Sequence, residues 1–137
     1  MSLVLDASVW VSASIPADAN HVVTRKWLET VLPTEMLVTP TLGLVETSGA
    51  IARRTGSALL ARRAVLAIER LPHTLVVLPD PRLWDTAVRL SAMRALRGGA
   101  DAVYVALAEL LNIPLATWDR DQRERAGRRV KVVTPSA

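Results

Sequence analysis

Four acidic residues of this sequence, Asp6, Glu46, Asp101 and Asp119, stand where an isolated carboxylate is difficult to place. Asp6 and Asp119 follow short apolar runs that are typical of buried strands, and the other two lie in segments that are otherwise apolar or small. Burial of an ionised carboxylate without a partner costs on the order of several kcal/mol. Each acid therefore needs a cation, or its charge must be suppressed by a raised pKa.

Each acid also has a purely structural interpretation. Asp119 can cap a helix that follows the fourth strand, and Asp101 can be a first-turn acid that the helix dipole stabilises by about 0.3–1 kcal/mol. Glu46 can lie on a solvent-facing stripe of its helix. Asp6 is the hardest to explain in this way, because a turn at the end of a strand accounts only for its position.

Considered together, the four acids favour a metal site. No His or Lys occupies a matching position, and like charges that meet at one edge of a sheet cannot all stay ionised without a cation. Hard divalent ions with oxygen ligands, Mg²⁺ or Mn²⁺, suit such a set. We therefore predict a carboxylate metal site, and an all-carboxylate site beside arginine clusters indicates hydrolysis of phosphodiester bonds.

Arginine clusters supply groups that can bind phosphate. The chain has 17 Lys and Arg against 13 Asp and Glu, and nearly all of the basic residues are Arg. Guanidinium forks match phosphate oxygens well, and we predict that a nucleic-acid backbone contacts Arg53, Arg54, Arg120 and Arg123. On charge alone, a solvated basic surface explains these clusters equally well.

The elements that must position these residues alternate along the chain, which predicts a parallel sheet covered by helices on both faces. The predicted strands are 3–6, 36–39, 74–78, 114–117 and 130–133. The predicted helices are 21–32, 41–54, 57–71, 80–97 and 101–112, with Asp80 as the N-cap of the fourth and Gly98-Gly99 as its end. In such sheets, sites lie beyond the carboxyl ends of strands where the strand order reverses, and this rule gives Asp6 its place.

Composition limits the class of protein. A chain of 137 residues with 50% hydrophobic and 22% charged residues can build a sizeable core, so we expect one globular domain over residues 1–137. No apolar run reaches the roughly 18 residues of a membrane span, and we expect neither a span nor an export signal. The sequence has no Cys, which excludes disulfides and thiolate zinc sites and fits the cytoplasm.

The segments that carry the acids resemble one known family. LVLDAS, VETSGAIAR, RGGADAVYVALAELL and LATWDRD, in this order and at this spacing, are similar to the motifs of PIN-domain ribonucleases. The closest resemblance is to the VapC-like toxins of bacterial type II toxin–antitoxin pairs, and it covers essentially the whole chain. The family's four acids map onto Asp6, Glu46, Asp101 and Asp119, with Ser8 and Thr117 as companions of the first and the last.

The resemblance implies a three-layer α/β/α fold with a mostly parallel five-stranded sheet of order 3-2-1-4-5. It also implies Mg²⁺-dependent cleavage of RNA, with Asp6, Glu46, Asp101 and Asp119 as the catalytic and metal-binding residues. A homodimer and inhibition by a small cognate antitoxin are further implications. Asp121, two residues beyond Asp119, is either an outer ligand or a surface charge.

Other functions fit the sequence less well. A phosphorylated receiver domain needs a second acid beside Asp6 and a Lys after the fifth strand, whereas Leu5 precedes Asp6 and Lys131 lies within that strand. A haloacid-type phosphatase needs an Asp-x-Asp motif, and position 8 is Ser. Two alternatives stay open: a PIN-fold RNA-processing nuclease without an antitoxin, and a module that binds RNA without cutting it, against which the complete set of acids argues.

Overall fold

The computed structural model describes residues 1–96 and 98–136. Its sheet has the order β3-β2-β1-β4-β5 with every neighbouring pair parallel, which confirms the predicted sheet. The strands are β1 (Ser2–Leu5), β2 (Met36–Pro40), β3 (Thr74–Val77), β4 (Leu115–Ala116) and β5 (Val132–Val133). The helices in the described residues are α1 (Ala7–Ser14), α2 (His21–Val31), α3 (Thr41–Thr55), α4 (Ala58–Arg70), α5 (Pro81–Arg94), α6 (Gly98–Leu111) and α7 (Arg120–Arg125).

β1 occupies the centre of the sheet, where Leu3 is paired with Leu37 of β2 and Val4 with Leu115 of β4. The chain builds β2 and β3 on one side of β1 and then returns to build β4 and β5 on the other. The strand order therefore reverses between β1 and β4. In a sheet of this kind, the loops beyond the carboxyl ends of those two strands border a crevice.

Side chains of β1 alternate between two core layers, as the two-residue period of a strand requires. Val4 packs into an aliphatic cluster with α5 and α6 on one face of the sheet. Leu3 and Leu5 pack on the other face, in a cluster with residues of α1, α2 and α4. Helices thus cover both faces, which confirms the three-layer α/β/α arrangement.

Two features of α6 and α3 bring their acids to the crevice. Residues 102–108 of α6 are all buried, as expected for a helix that is apolar on every side, so the first turn with Asp101 is held against the sheet. Gly43 of α3 lies close to α6: a Cβ at this position would be 2.5 Å from Thr39 Oγ1 and 3.2 Å from Tyr104 Oη. The glycine therefore allows the close approach that places Glu46 near α6.

Helix α1, which begins directly after Asp6, was not predicted from the sequence. Its sequence, ASVWVSAS, contains β-branched residues and serines that lower helix propensity, and residues 9–13 are buried without interruption. A helix of this kind shows no amphipathic period, so the pattern of the sequence gives no helical signal. α7 was foreseen only in the structural interpretation of Asp119.

The prediction that Gly98-Gly99 ends the fourth helix was wrong. α5 ends at Arg94, because Ala95 takes a left-handed conformation with φ 50°, and the glycine pair opens α6 instead. Arg97, the predicted last residue of that helix, lies outside the described residues. The predicted N-cap Asp80 is confirmed, since its carboxylate accepts from the Leu83 N–H at 2.8 Å. Within the described part of the chain, no helix is long and apolar enough to cross a membrane.

Candidate active site

Asp6 is a buried carboxylate, 4% exposed, with a structural role that the sequence did not reveal. Its Oδ1 accepts from the Ser8 N–H at 3.0 Å and from the Val9 N–H at 3.4 Å, so Asp6 is the N-cap of α1. The Ser8 hydroxyl also donates to Oδ1, at 2.5 Å, and the Thr117 hydroxyl donates to Oδ2 at 2.7 Å. Both predicted companions of the acids therefore contact Asp6 itself.

The two hydroxyl groups connect Asp6 to the chain beyond β4. Ser8 Oγ accepts from the Trp118 N–H at 3.0 Å, and Thr117 Oγ1 accepts from the Asp119 N–H at 2.9 Å. Each hydroxyl thus accepts a hydrogen bond from a backbone N–H of the β4–α7 connection and donates a hydrogen bond to the carboxylate of Asp6. Through these two relays, Asp6 fixes the segment that carries Asp119.

The environment of Asp6 makes its negative charge costly. Burial outweighs the hydrogen bonds from Ser8, Thr117 and Val9, which favour the ionised form, and the nearby Asp119 adds repulsion. The pKa of Asp6 is raised from 3.8 to about 6 as a result. Among the described residues, no ion pair with a Lys, Arg or His side chain compensates this charge.

Asp101 lies half-buried in the first turn of α6 and is the focus of negative charge in the crevice. Burial raises its pKa first, and the charges of Asp119, Glu46, Asp6 and Asp121 raise it further, to about 7. Every charged group that contributes to this shift is an acid. The structure therefore brings the other three predicted acids, together with Asp121, within electrostatic reach of Asp101.

Glu46 is held by Tyr104, which was not predicted to have a role in the site. Tyr104 is 1% exposed, and its hydroxyl donates to Glu46 Oε1 at 2.5 Å. Burial and the bond to Glu46 raise the pKa of Tyr104, so the phenol stays protonated and remains a donor. The signal in the sequence is that Tyr104 is the one polar side chain in the buried segment 102–108.

Asp119 caps α7, which confirms the structural interpretation of this residue. Its Oδ1 accepts from the Asp121 N–H at 2.8 Å and from the Gln122 N–H at 3.3 Å. Gln122 is fully buried, and its Nε2 donates to the backbone oxygen of Asp101 at 3.3 Å, so α7 is also tied to α6. Both capping bonds are accepted by Oδ1 of Asp119. Its Oδ2 takes no part in the cap, so the capping role is compatible with metal binding by the same carboxylate.

The acids converge without forming a closed metal cage. Within residues 1–96 and 98–136, no group of three or more His, Asp or Glu side chains is arranged to hold a metal ion. Mg²⁺ rarely requires such a cage, because it keeps several waters and binds through one or two carboxylates together with substrate phosphates. The donors are all carboxylate oxygens, and this chemistry fits Mg²⁺ or Mn²⁺.

A chain of buried hydroxyl groups, which was not predicted from the sequence, supports Trp118. The Trp118 indole N–H donates to Thr24 Oγ1 at 2.9 Å, and the hydroxyls of Thr24 and Ser12 are 2.8 Å apart. Ser12 Oγ donates to the Val9 carbonyl at 3.0 Å, so Thr24 must donate to Ser12. The bonds run in one direction from the β4–α7 connection through α2 to α1, and they fix the residue between Thr117 and Asp119.

The four arginines predicted to contact nucleic acid are exposed, and they lie in pairs on two helices. Arg53 and Arg54 lie near the end of α3 and line a cleft that reaches Glu46. Arg120 and Arg123 lie on α7, where Arg120 pairs with Glu124 at 2.8 Å and Arg123 donates to Thr134 at 3.1 Å.

A parallel α/β/α sheet of order 3-2-1-4-5 with acids beyond the carboxyl ends of β1 and β4 is the architecture of a PIN domain. The family model described as PIN domain matches residues 3–128, and the chain belongs to this family.

Solved structures with this fold include VapC toxins. The structure is similar to VapC20 of Mycobacterium tuberculosis, a sarcin-ricin loop cleaving toxin, with a TM-score of 0.78 and 22% identity over 94% of this chain and 98% of that chain. VapBC2 from Rickettsia felis, bound to a DNA fragment from its promoter, is similar with a TM-score of 0.73 and 14% identity over 98% of both chains. FitAcB from Neisseria gonorrhoeae is similar with a TM-score of 0.73 and 17% identity over 97% of both chains. No curated protein matches the sequence.

Proposed function

We propose that this protein is a metal-dependent endoribonuclease and the toxin of a type II toxin–antitoxin pair. The observation that carries the proposal is the concentration of negative charge around Asp101, whose pKa is raised to about 7 by burial and by four other acids. Such a centre is costly for the folded protein unless a cation binds there. Membership of the PIN family and similarity to VapC toxins support nuclease chemistry at this centre.

We assign Asp6, Asp101, Asp119 and Glu46 to the metal ion and to the reaction. Mg²⁺ or Mn²⁺ would supply Lewis acidity towards the phosphate and would lower the pKa of a bound water molecule. The protein itself contributes orientation. Ser8 and Thr117 hold both oxygens of Asp6, and the Tyr104 hydroxyl holds one oxygen of Glu46.

The test is RNA cleavage by the purified protein with and without metal. We expect cleavage in Mg²⁺ or Mn²⁺, complete loss with EDTA, and recovery when excess metal is returned. The variant Glu46→Gln, which keeps the size of the side chain, should lower the rate by more than about 100-fold. Cleavage undiminished by the chelator would contradict the metal mechanism, and metal-independent RNA binding without cleavage would favour a binding module.

An apolar groove supports an antitoxin as the protein partner. It lies between α1, α2 and α4 and is lined by side chains that include Trp10, Leu28, Leu32, Ile68 and Leu71. Grooves of this kind receive the apolar face of an amphipathic helix. One similar structure is described as a toxin–antitoxin complex from Klebsiella pneumoniae, and we propose the same kind of partner for this chain.

A second apolar surface supports a homodimer. Val45, Trp84 and Val88 are 67%, 49% and 69% exposed, and exposed large apolar side chains of this kind mark protein interfaces. We expect light scattering to give twice the monomer mass, and Trp84→Glu to shift the protein to a monomer at the same concentration. A monomeric wild-type protein at micromolar concentration would be incompatible with this assignment.

A further inference from the structure

A cleft of about 490 Å³ lies beside the acidic centre, and most of its lining has no role in the site described above. Ser8 and Glu46 connect it to the acids. We call it the α3 cleft, and the lining residues that matter here are Asn20, Gly49, Arg53 and Trp118.

Gly49 keeps one wall of the α3 cleft open. It lies inside α3 without a positive φ, and a Cβ at this position would meet nothing within 4 Å. Neither the backbone conformation nor internal packing therefore requires a glycine, although glycine is less favourable than alanine inside a helix. Its effect is to leave space in the cleft one helical turn from Glu46 and one turn from Arg53.

Arg53 is the available cation of the cleft. Its neighbour Arg54 is bound to Asp18 at 2.7 Å, so the charges of that pair compensate each other. Arg53 has no ion pair with another described residue. It follows Glu46 by seven residues, or about 10 Å along the helix, which leaves room for a nucleotide between the two side chains.

Trp118 and Asn20 add two complementary surfaces. The indole N–H of Trp118 is already donated to Thr24, so the ring is fixed, and the part of it that is not packed against the core lines the cleft. The side-chain amide of Asn20 makes no capping bond to α2, and an amide can both donate to and accept from the edge of a base. Aromatic rings and Asn amides of this kind bind nucleotide bases.

From these features, and resting on the proposed ribonuclease function, we propose that the α3 cleft binds the RNA nucleotide adjacent to the scissile phosphate. Arg53 pairs with the phosphate of that nucleotide. The base lies over Gly49 against Trp118, with its edge towards Asn20. The cleft is therefore a specificity-determining subsite for a single-stranded nucleotide, separate from the acids that act on the phosphodiester bond.

Two substitutions at one position test the subsite without disturbing the fold. Gly49→Ala should keep or raise the melting temperature, by about 2–5 °C, because the added Cβ meets no neighbour. The melting curve of Gly49→Leu is measured beside it, so that activity is compared between folded proteins. Gly49→Leu fills the cleft and should lower kcat/KM for RNA by about 10–100-fold, the range expected for loss of a stacked base. Gly49→Ala adds a single methyl group to the cleft and should lower kcat/KM clearly less than Gly49→Leu does.

A charge-matched pair tests Arg53. Arg53→Gln should weaken RNA binding and reduce the slope of log K against log salt by about 0.7, the contribution of one phosphate contact on a single strand. Arg62→Gln removes the same charge from the exposed surface of α4 and should leave the slope at the wild-type value. A fluorescein-labelled single-stranded RNA of mixed sequence is the probe, in Ca²⁺ buffer to suppress cleavage.

A binding measurement separates the subsite from the nuclease activity. The indole N–H signal of Trp118, assigned with Trp118→Phe, should shift in NMR spectra when nucleoside 5′-monophosphates are added without metal, and Gly49→Leu should abolish the shift. If no RNA is cleaved but this shift is present, the subsite stands and the proposed nuclease is wrong. If RNA is cleaved with unchanged kcat/KM by Gly49→Leu, the subsite is wrong and the nuclease stands. A third outcome would also overturn the subsite. If Gly49→Leu cleaves RNA like wild type but is no longer inhibited by a co-expressed antitoxin, the cleft binds a segment of the antitoxin and not a nucleotide.

Discussion

Replacing Asp101 by asparagine should remove the function of this residue while stabilising the metal-free protein at alkaline pH. Asn is close to Asp in size and keeps the polarity of the side chain. No described residue donates a hydrogen bond to the Asp101 carboxylate, so no structural bond is lost with the charge. What disappears is the repulsion from Asp119, Glu46, Asp6 and Asp121, together with the cost of burying a charge.

The size of the gain follows from the pKa of Asp101. A rise from 3.8 to about 7 would correspond to about 4 kcal/mol for a fully buried group. Asp101 is only half-buried, so solvent screening reduces this to roughly 1–2 kcal/mol. Loss of the favourable contact between an acid and the α6 dipole subtracts about 0.3–1 kcal/mol. The net expectation is a gain of about 0.5–1 kcal/mol at pH 8.

The pH dependence gives this prediction its sign. Between pH 3.8 and about 7 the folded wild-type protein retains a proton on Asp101 that the unfolded chain releases. The free energy of unfolding of the wild-type protein therefore falls as pH rises through that window. Above it, Asp101 is ionised in the folded protein and the destabilisation is complete. Asn does not titrate, so the advantage of Asp101→Asn should be absent near pH 4, grow through the window and level off above pH 7.

The assay is thermal melting at pH 4, 6 and 8, with and without Mg²⁺, beside RNA cleavage. Wild type should melt at a higher temperature in Mg²⁺, because the ion binds the folded state preferentially, and Asp101→Asn should gain much less and lose activity. Asp85→Asn, on the exposed surface of α5, is the control and should respond to Mg²⁺ like wild type. An Asp101→Asn protein that is less stable at pH 8, responds fully to Mg²⁺ and cleaves RNA would refute the reasoning.

Two further predictions concern residues that hold the site in place. Tyr104→Phe removes the hydrogen-bond donor to Glu46. We expect kcat to fall about 10–100-fold with KM nearly unchanged, and the free energy of unfolding to fall by about 1 kcal/mol. An unaltered kcat would show that Tyr104 contributes only to packing. Thr24→Val leaves the Trp118 indole N–H without its acceptor and should cost about 1–3 kcal/mol in urea unfolding, whereas Thr24→Ser keeps a hydroxyl and should cost clearly less. Equal losses in the two Thr24 variants would contradict the hydroxyl chain.

Much of the fold was predictable because its strands and amphipathic helices have clear periods. The strands of the sheet and the amphipathic helix α4 were placed to within a few residues, and the order of the sheet followed from the resemblance. α1 was not predictable in this way, since a helix buried on every side has no polar face. The end of α5 was also missed, because Ala95 rather than a glycine takes the left-handed conformation.

The acids of the site were visible in the sequence, but the residues that hold them were not. Asp6, Glu46, Asp101 and Asp119 are conspicuous because a charge in an apolar segment needs an explanation. Tyr104, Thr24 and Ser12 are common components of helices, and their roles depend on partners that are distant in the chain, such as Glu46 and Trp118. Pairing of this kind is decided by tertiary packing, which no local pattern encodes.

The structural bonds divide the acids into two kinds, and this division decides which of them can report on a metal ion. Asp6 caps α1 and receives two hydroxyl relays, and Asp119 caps α7. Replacing either of these would change helix caps and the β4–α7 connection at the same time, so lost activity would not reveal the cause. Asp101 has a raised pKa and no such bond. Among the described residues, no structural role offsets its cost to the metal-free protein, and the metal ion that we propose for this site would offset it.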